Sequence, residues 1–208
     1  MNAGKFGRVG LMATAALLVG SLVTVPAAHA RKKVVTKTYE VGVGAPGGGF
    51  AIPINDGAGQ AAQLARSPID VRGLNPRGKI RDVNVGVRIQ HPFAKDLEVY
   101  LATPRGVINL SHDVGGDGNN YGAGPASCSG IFTVFDSNTP TRIDTSGLQA
   151  PFAGFFAPME NLGLLGGLGD KKATNARWSL LVEDDDNTHP AGTLECWYLQ
   201  IKTTNPRK

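Results

Sequence analysis

From residue 80 onward apolar and polar residues take turns along the chain. In IRDVNVGVRIQH (80–91), Val83, Val85, Val87 and Ile89 alternate with Asn84, Gly86, Arg88 and Gln90, the period of a strand with one face in a core. In DLEVYLATPRGVINL (96–110), Leu97, Val99 and Leu101 alternate with Glu98 and Tyr100 until Thr103-Pro104-Arg105-Gly106 interrupts them. That break predicts a hairpin turn at Pro104-Arg105-Gly106. Trp178, Leu180 and Val182, then Trp197, Leu199 and Ile201, repeat the pattern. Tyr39, Val41 and Val43 make a weaker case, and Ile69-Asp70-Val71 precedes a turn at Gly73. Further turn signals lie at Asn75-Pro76-Arg77-Gly78 and His189-Pro190-Ala191-Gly192. Helical periodicity is nearly absent; NLGLLGGLG (161–169) has room for one helical turn, and its glycines argue against a longer helix. Many short strands set apart by turns predict an all-β fold, an antiparallel β-sandwich of jelly-roll-like form.

Composition agrees, with 28 glycines and 13 prolines in 208 residues. The first thirty residues read as a leader: Lys5 and Arg8, then the apolar LMATAALLVGSLVTV, then Ala28-His29-Ala30 as the small-x-small cleavage pattern. The expected product is secreted to the extracellular space and begins near Arg31, with no membrane attachment after cleavage. Residues 31–49, ending in Gly47-Gly48-Gly49, read as a basic, Gly-rich lead-in arm, 50–202 as the folded domain, and 203–208 as a polar tail. The net charge of +4 is small and its basic residues are scattered, so nucleic acid is not an expected partner. Both cysteines, Cys128 and Cys196, fall in the exported part, where parity and an oxidising compartment favour a disulfide.

Several stretches, in order, resemble one family. They are IPIND (52–56), IRDVNVGVRIQH (80–91), DLEVYLATPRGVINL (96–110), GGDGNNY (115–121), FTVFDS (132–137), PFAGFFAPMENL (151–162), ARWSLLVEDDDN (176–187) and AGTLECWYLQI (191–201). Together they are similar to the P domain, or P/Homo B domain, of proprotein convertases and of bacterial subtilisin-like secreted proteases. The resemblance covers about residues 50–202. It implies a jelly-roll sandwich that stabilises a protease and tunes its calcium and pH response. No catalytic domain precedes the stretch here. The subtilase Gly-Thr-Ser motif, H-E-x-x-H and Gly-x-Ser-x-Gly are all missing from the sequence, and a non-enzyme is expected.

Two function classes follow. One is an accessory that binds or stabilises a secreted protease or another extracellular protein. The other is a lectin-like module that binds glycan or a different envelope component, with Tyr100, Tyr121 and Tyr198 as its aromatic candidates. Fold cannot choose between them. Trp178 and Trp197 read as core.

His91 extends the inward set of Val83 to Ile89, and Asp96 precedes the inward Leu97. A buried carboxylate needs a partner, so this pair reads as a structural latch at the bend. Lys95 stands where the family pattern has glycine. Ca²⁺ is the expected cofactor, since it takes several oxygens from an irregular loop. One candidate set is Asp117 with Asn119 and Asn120 in GGDGNN, with Asp136 nearby in the family's fold; the other is Asp184 with Asp186 in EDDDN. The sequence leaves the choice between these loops open.

Overall fold

In the computed structural model ten strands form in chain order: β1 (Val34–Gly42), β2 (Ile52–Ile54), β3 (Ala65–Asp70), β4 (Lys79–Gln90), β5 (Leu97–Thr103), β6 (Gly106–His112), β7 (Thr133–Asp136), β8 (Gly154–Phe156), β9 (Arg177–Asp184) and β10 (Gly192–Thr204). The structure describes residues 33–55, 64–167, 175–186 and 188–204. The leader expected over 1–30 and the last four residues lie outside these. The strands build an all-β sandwich of two sheets. The larger runs β1-β10-β4-β7-β8, with β2 also paired to β10, and the smaller runs β3-β9-β5-β6. Every pairing is antiparallel except β7 with β8.

The alternation does what its period demands. Val83, Val85, Val87 and Ile89 of β4 face Leu97, Val99 and Leu101 of β5 and Trp178, Leu180 and Val182 of β9 across one core. Trp178 and Trp197 are both fully buried. They differ in one respect: Trp197 Nε1 donates to Ser67 Oγ at 2.8 Å, whereas Trp178 Nε1 has no hydrogen-bond partner. The β5–β6 turn lies at Pro104-Arg105, with Thr103 opposite Gly106. The NLGLL stretch gives a short 3-10 turn, Leu162–Leu165, capped by Asn161 Oδ1.

The lead-in arm needs correcting. Nine of its residues form β1, paired along their whole length with β10 from Val34↔Thr204 to Gly42↔Cys196. The reason is the length of β10, 13 residues, whose edge opposite β4 would otherwise expose a long row of unpaired amides. Alternation in β1 is weak because only Tyr39 and Val41 pack against the core.

Cys128 and Cys196 are joined by a disulfide, with Cα atoms 5.2 Å apart. It ties the loop before β7 to the outer face of β10. Arg88 secures the same loop from below, its guanidinium donating to the carbonyls of Ala123, Gly124, Pro125 and Ile131. A largely buried cation thus gains four carbonyl acceptors for its two terminal nitrogens in place of water, while Nε has none among the described residues.

Trp197→Phe should destabilise more than Trp178→Phe, because it strands the buried Ser67 hydroxyl, a loss of about 1–3 kcal/mol. Chemical denaturation of the two variants checks this; equal losses would show that the indole bond contributes nothing. Cys128→Ser/Cys196→Ser should lower stability by about 4 kcal/mol, the chain-entropy value for a loop of this size. The same measurement on the double variant checks it.

Candidate functional site

The bend between β4 and β5, the 115–120 loop and the loop after β9 meet at one end of the sandwich. His91 leaves β4 with its ring turned inward, and Asp184 ends β9 facing the same interior. Nε2 of His91 lies 2.9 Å from Asp184 Oδ2, and both side chains are fully buried. Nδ1 of His91 lies 2.7 Å from the Phe93 carbonyl. The other Asp184 oxygen accepts from the Asp186 amide at 3.3 Å. Burial pushes the Asp184 carboxyl up, and the hydrogen bond from His91 opposes it. Close approach requires glycine at 192, where a Cβ would sit 2.4 Å from His91 Cδ2.

Asn120 continues this network. It accepts from the His91 amide at 2.9 Å through Oδ1 and donates its own amide to the His91 carbonyl at 3.0 Å. Its φ of 67° is in the left-handed region, which asparagine tolerates better than most residues. The Ala94 amide donates to Gly118 O at 2.8 Å, and the Asp185 amide to Asp96 O at 3.2 Å. The three loops are therefore stitched together around one buried His–Asp contact.

Asp96, on the short 3-10 turn Ala94–Asp96, does not pair with His91. Its Oδ2 lies 2.9 Å from His189 Nδ1 without the alignment of a hydrogen bond, and is buried with no hydrogen-bond partner. The expected latch is thus divided: His91 meets Asp184, while Asp96 faces His189 on the loop. Tertiary structure decides this, because Asp184 enters from the other sheet, 93 positions away.

The calcium candidates separate as well. Asp184 has both oxygens engaged inside the core. Asp117 is exposed and bound to Lys95 Nζ at 2.7 Å, which holds its carboxyl below the usual carboxylate range. Asn119 Oδ1 accepts from Asn120 Nδ2 at 3.3 Å. Asp136 closes a turn through the Asn138 amide at 2.8 Å and belongs to β7 in the larger sheet. Asp186 lies at the cleft: its Oδ1 takes both the Thr188 amide and hydroxyl, at 2.8 and 2.6 Å, leaving Oδ2 3.4 Å from His189 Nδ1.

A shallow cleft beside the bend is lined by Lys95, Asp96, Asp113, Asp185 and Asp186. Asp113 escapes sequence reasoning because nothing local marks it; it reaches the cleft from the end of β6, and His189, part of a turn signal in the sequence, sits beside Asp96. Next to it His112 bridges Glu98 and Asp113, each at 3.0 Å. Glu98 also sits directly across from Glu183, and burial together with these neighbouring carboxylates pushes the Asp185 and Glu183 carboxyls up.

A second surface lies on the outer face of the larger sheet. Tyr198, Gly86, Val134 and Phe155 stand in register on β10, β4, β7 and β8. Tyr198 lies over Gly86, where a Cβ would come within 2.1 Å of the ring, and Phe132 packs edge-on against it with centroids 5.0 Å apart. Phe155 is 60 % exposed. The sequence signal was present but easy to misread. FTVFD and GFF are apolar on both faces of the strand, a pattern that ordinarily means burial on both sides.

No protein-family model matches the chain, and no curated protein does. Among solved structures, the serine protease of Aeromonas sobria superposes with a TM-score of 0.40 at 17 % identity, covering 82 % of this chain and 27 % of that one. The complex of the Aeromonas sobria serine protease with its chaperone gives 0.39 at 16 % identity, covering 84 % of this chain and 28 % of that one. The chain thus spans little more than a quarter of the length of either neighbour.

His91→Ala should cost about 3–5 kcal/mol, because the buried Asp184 carboxyl would lose its imidazole partner and keep only the Asp186 amide. Replacing both residues by leucine should cost less than His91→Ala alone. Thermal melts of the three proteins check this; a single variant that melts with the parent would show the pair to be dispensable.

Proposed function

We propose that the exported chain is a non-catalytic domain of P-domain type that binds and stabilises a secreted protease. The observation that carries this reading is the apolar row Tyr198–Phe132–Val134–Phe155 on the outer face of the larger sheet, in which Val134 is buried and Phe155 exposed. An apolar row crossing several strands on the outside of a sandwich, ending in an exposed phenylalanine, is the anatomy of a protein-docking face. The disulfide and the Arg88 clamp brace the loop that carries Phe132, so the row is presented in one conformation and loses little entropy on binding. The order of the P-domain-like stretches supports the type of partner.

Histidine chemistry supports the non-catalytic part. A hydroxyl–imidazole–carboxylate relay needs hydroxyl and acid on opposite ring nitrogens. At His189 the Thr188 hydroxyl and both nearby carboxylates converge on the same atom, Nδ1. At His91 the two nitrogens face Asp184 and the Phe93 carbonyl, and at His112 both face carboxylates. Secretion rests on the leader at 1–30. Among the described residues no helix is long and apolar enough to cross a membrane.

Purified chain should bind a subtilisin-like protease secreted by the same organism and lengthen its half-life at raised temperature. Phe155→Ser should weaken that binding at least tenfold, the effect of losing one central anchor, while melting close to the parent. The chain alone should leave casein intact. Calorimetric titration and residual-activity curves check this. Binding to a glycan array through the same row, with no effect on the protease, would replace the reading with the lectin-like one.

A further inference from the structure

The cleft beside the bend holds a feature that the docking reading does not use. Asp96 is 3 % exposed, yet its Oδ2 is buried without a hydrogen-bond partner among the described residues and it lines an open cleft with Asp113, Asp185 and Asp186. A buried carboxylate oxygen left unsatisfied is costly, and its environment should explain it.

Asp96, Asp186 and His189 each offer one donor atom, and the three lie within 4.8 Å of one another. His189 Nδ1 is 2.9 Å from Asp96 Oδ2 and 3.4 Å from Asp186 Oδ2. Bonds of about 2.0–2.2 Å to a common metal would set neighbouring donors roughly 3.0–3.5 Å apart. The first of the two contacts is short but misaligned for hydrogen bonding, as expected of two donors aimed at a shared third point. Thr188 Oγ1, 3.4 Å from the same nitrogen, has given its proton to Asp186 Oδ1 and does not compete as a donor. The His189 ring is held against Phe93 with centroids 3.9 Å apart, which limits its rotation. Lys95, also in the cleft, is tied to Asp117, while Asp113 and Asp185 add negative potential around the opening.

We propose that Asp96, Asp186 and His189 form a divalent metal site of the mixed nitrogen–oxygen type, suited to zinc or another first-row ion. An imidazole with two carboxylates matches the donor preference of those ions; calcium prefers six to eight oxygens and would leave the ring nitrogen unused. The open side of the cleft leaves positions for water. The site differs from both calcium sets expected from the sequence, since Asp184 is consumed by His91 and Asp117 by Lys95.

Untagged chain recovered from the medium and stripped with chelator tests this. Co²⁺ should bind one to one with a visible d–d spectrum, Zn²⁺ should displace it, and Zn²⁺ in about hundredfold excess over Kd should raise the melting temperature. Asp186→Asn and His189→Ala, both at partly exposed side chains, should each weaken Co²⁺ at least tenfold while the metal-free proteins melt with the parent. Asp96→Asn should do the same, but the two surface variants carry the test if it folds poorly. Binding undiminished in both surface variants, no Co²⁺ or Zn²⁺ binding, or binding of Ca²⁺ alone would each overturn the assignment.

Discussion

The His91–Asp184 pair joins the two sheets where the sandwich would otherwise open. It places an imidazole from the end of β4 against a carboxylate from the end of β9, with neither side chain exposed. In so dry a place the attraction is strong, but so is the cost of desolvation, and the pair persists because nearly every remaining polar position is filled. The Phe93 carbonyl, the Asp186 amide and Asn120 supply those bonds. Because these partners come from different loops, satisfying this one His–Asp pair fixes the course of all of them.

That constraint reaches the surface. With Asp184 drawn into the core, the chain after β9 must turn outward at Asp185, and Asp186 and His189 swing round to face Asp96. The carboxylate cleft is therefore a by-product of how the core is closed. The same economy appears on the far face of the larger sheet, where Arg88 and the Cys128–Cys196 bridge hold down one loop. A neutral residue at 88 would remove the guanidinium that ties four carbonyls of that loop to the sheet, and would take from Gly124 O its Arg88 donor. The two surfaces, one acidic and open, the other aromatic and braced, lie on structure stiffened by buried polar contacts as much as by the apolar core.

Like charges collect at the acidic end with few groups to offset them. Glu98 faces Glu183 across strands, and Tyr100 and His112 are the groups that share the load, each bonded to Glu98. Cross-strand pairs of one sign are unfavourable by a fraction of a kcal/mol to about one, so this end tolerates strain that the rest of the sandwich avoids. A cation in the adjoining cleft would relieve it.

Period-2 alternation alone determined β4, β5, β9 and β10, the inward set from Val83 to Ile89, and the burial of Trp178 and Trp197, because a strand's two faces are decided residue by residue. It also marked His91 as inward and Asp96 as a carboxylate in need of a partner. Which partner each took was outside its reach: Asp184 lies 93 positions from His91, and only the stacking of one sheet on the other joins them, while His189 is brought to Asp96 by the pairing of β5 with β9 within the smaller sheet. The strand in the lead-in arm stayed hidden for a related reason, since β1 exists to cover an edge of β10 and has little apolar pattern of its own. The outward aromatic row was hidden by the opposite fault, a strand apolar on both faces, where local pattern cannot tell a covered face from one kept open. Local chemistry thus set the strands and their inner faces, and tertiary packing chose the partners, because charge pairs and surface rows form between residues that no sequence window contains.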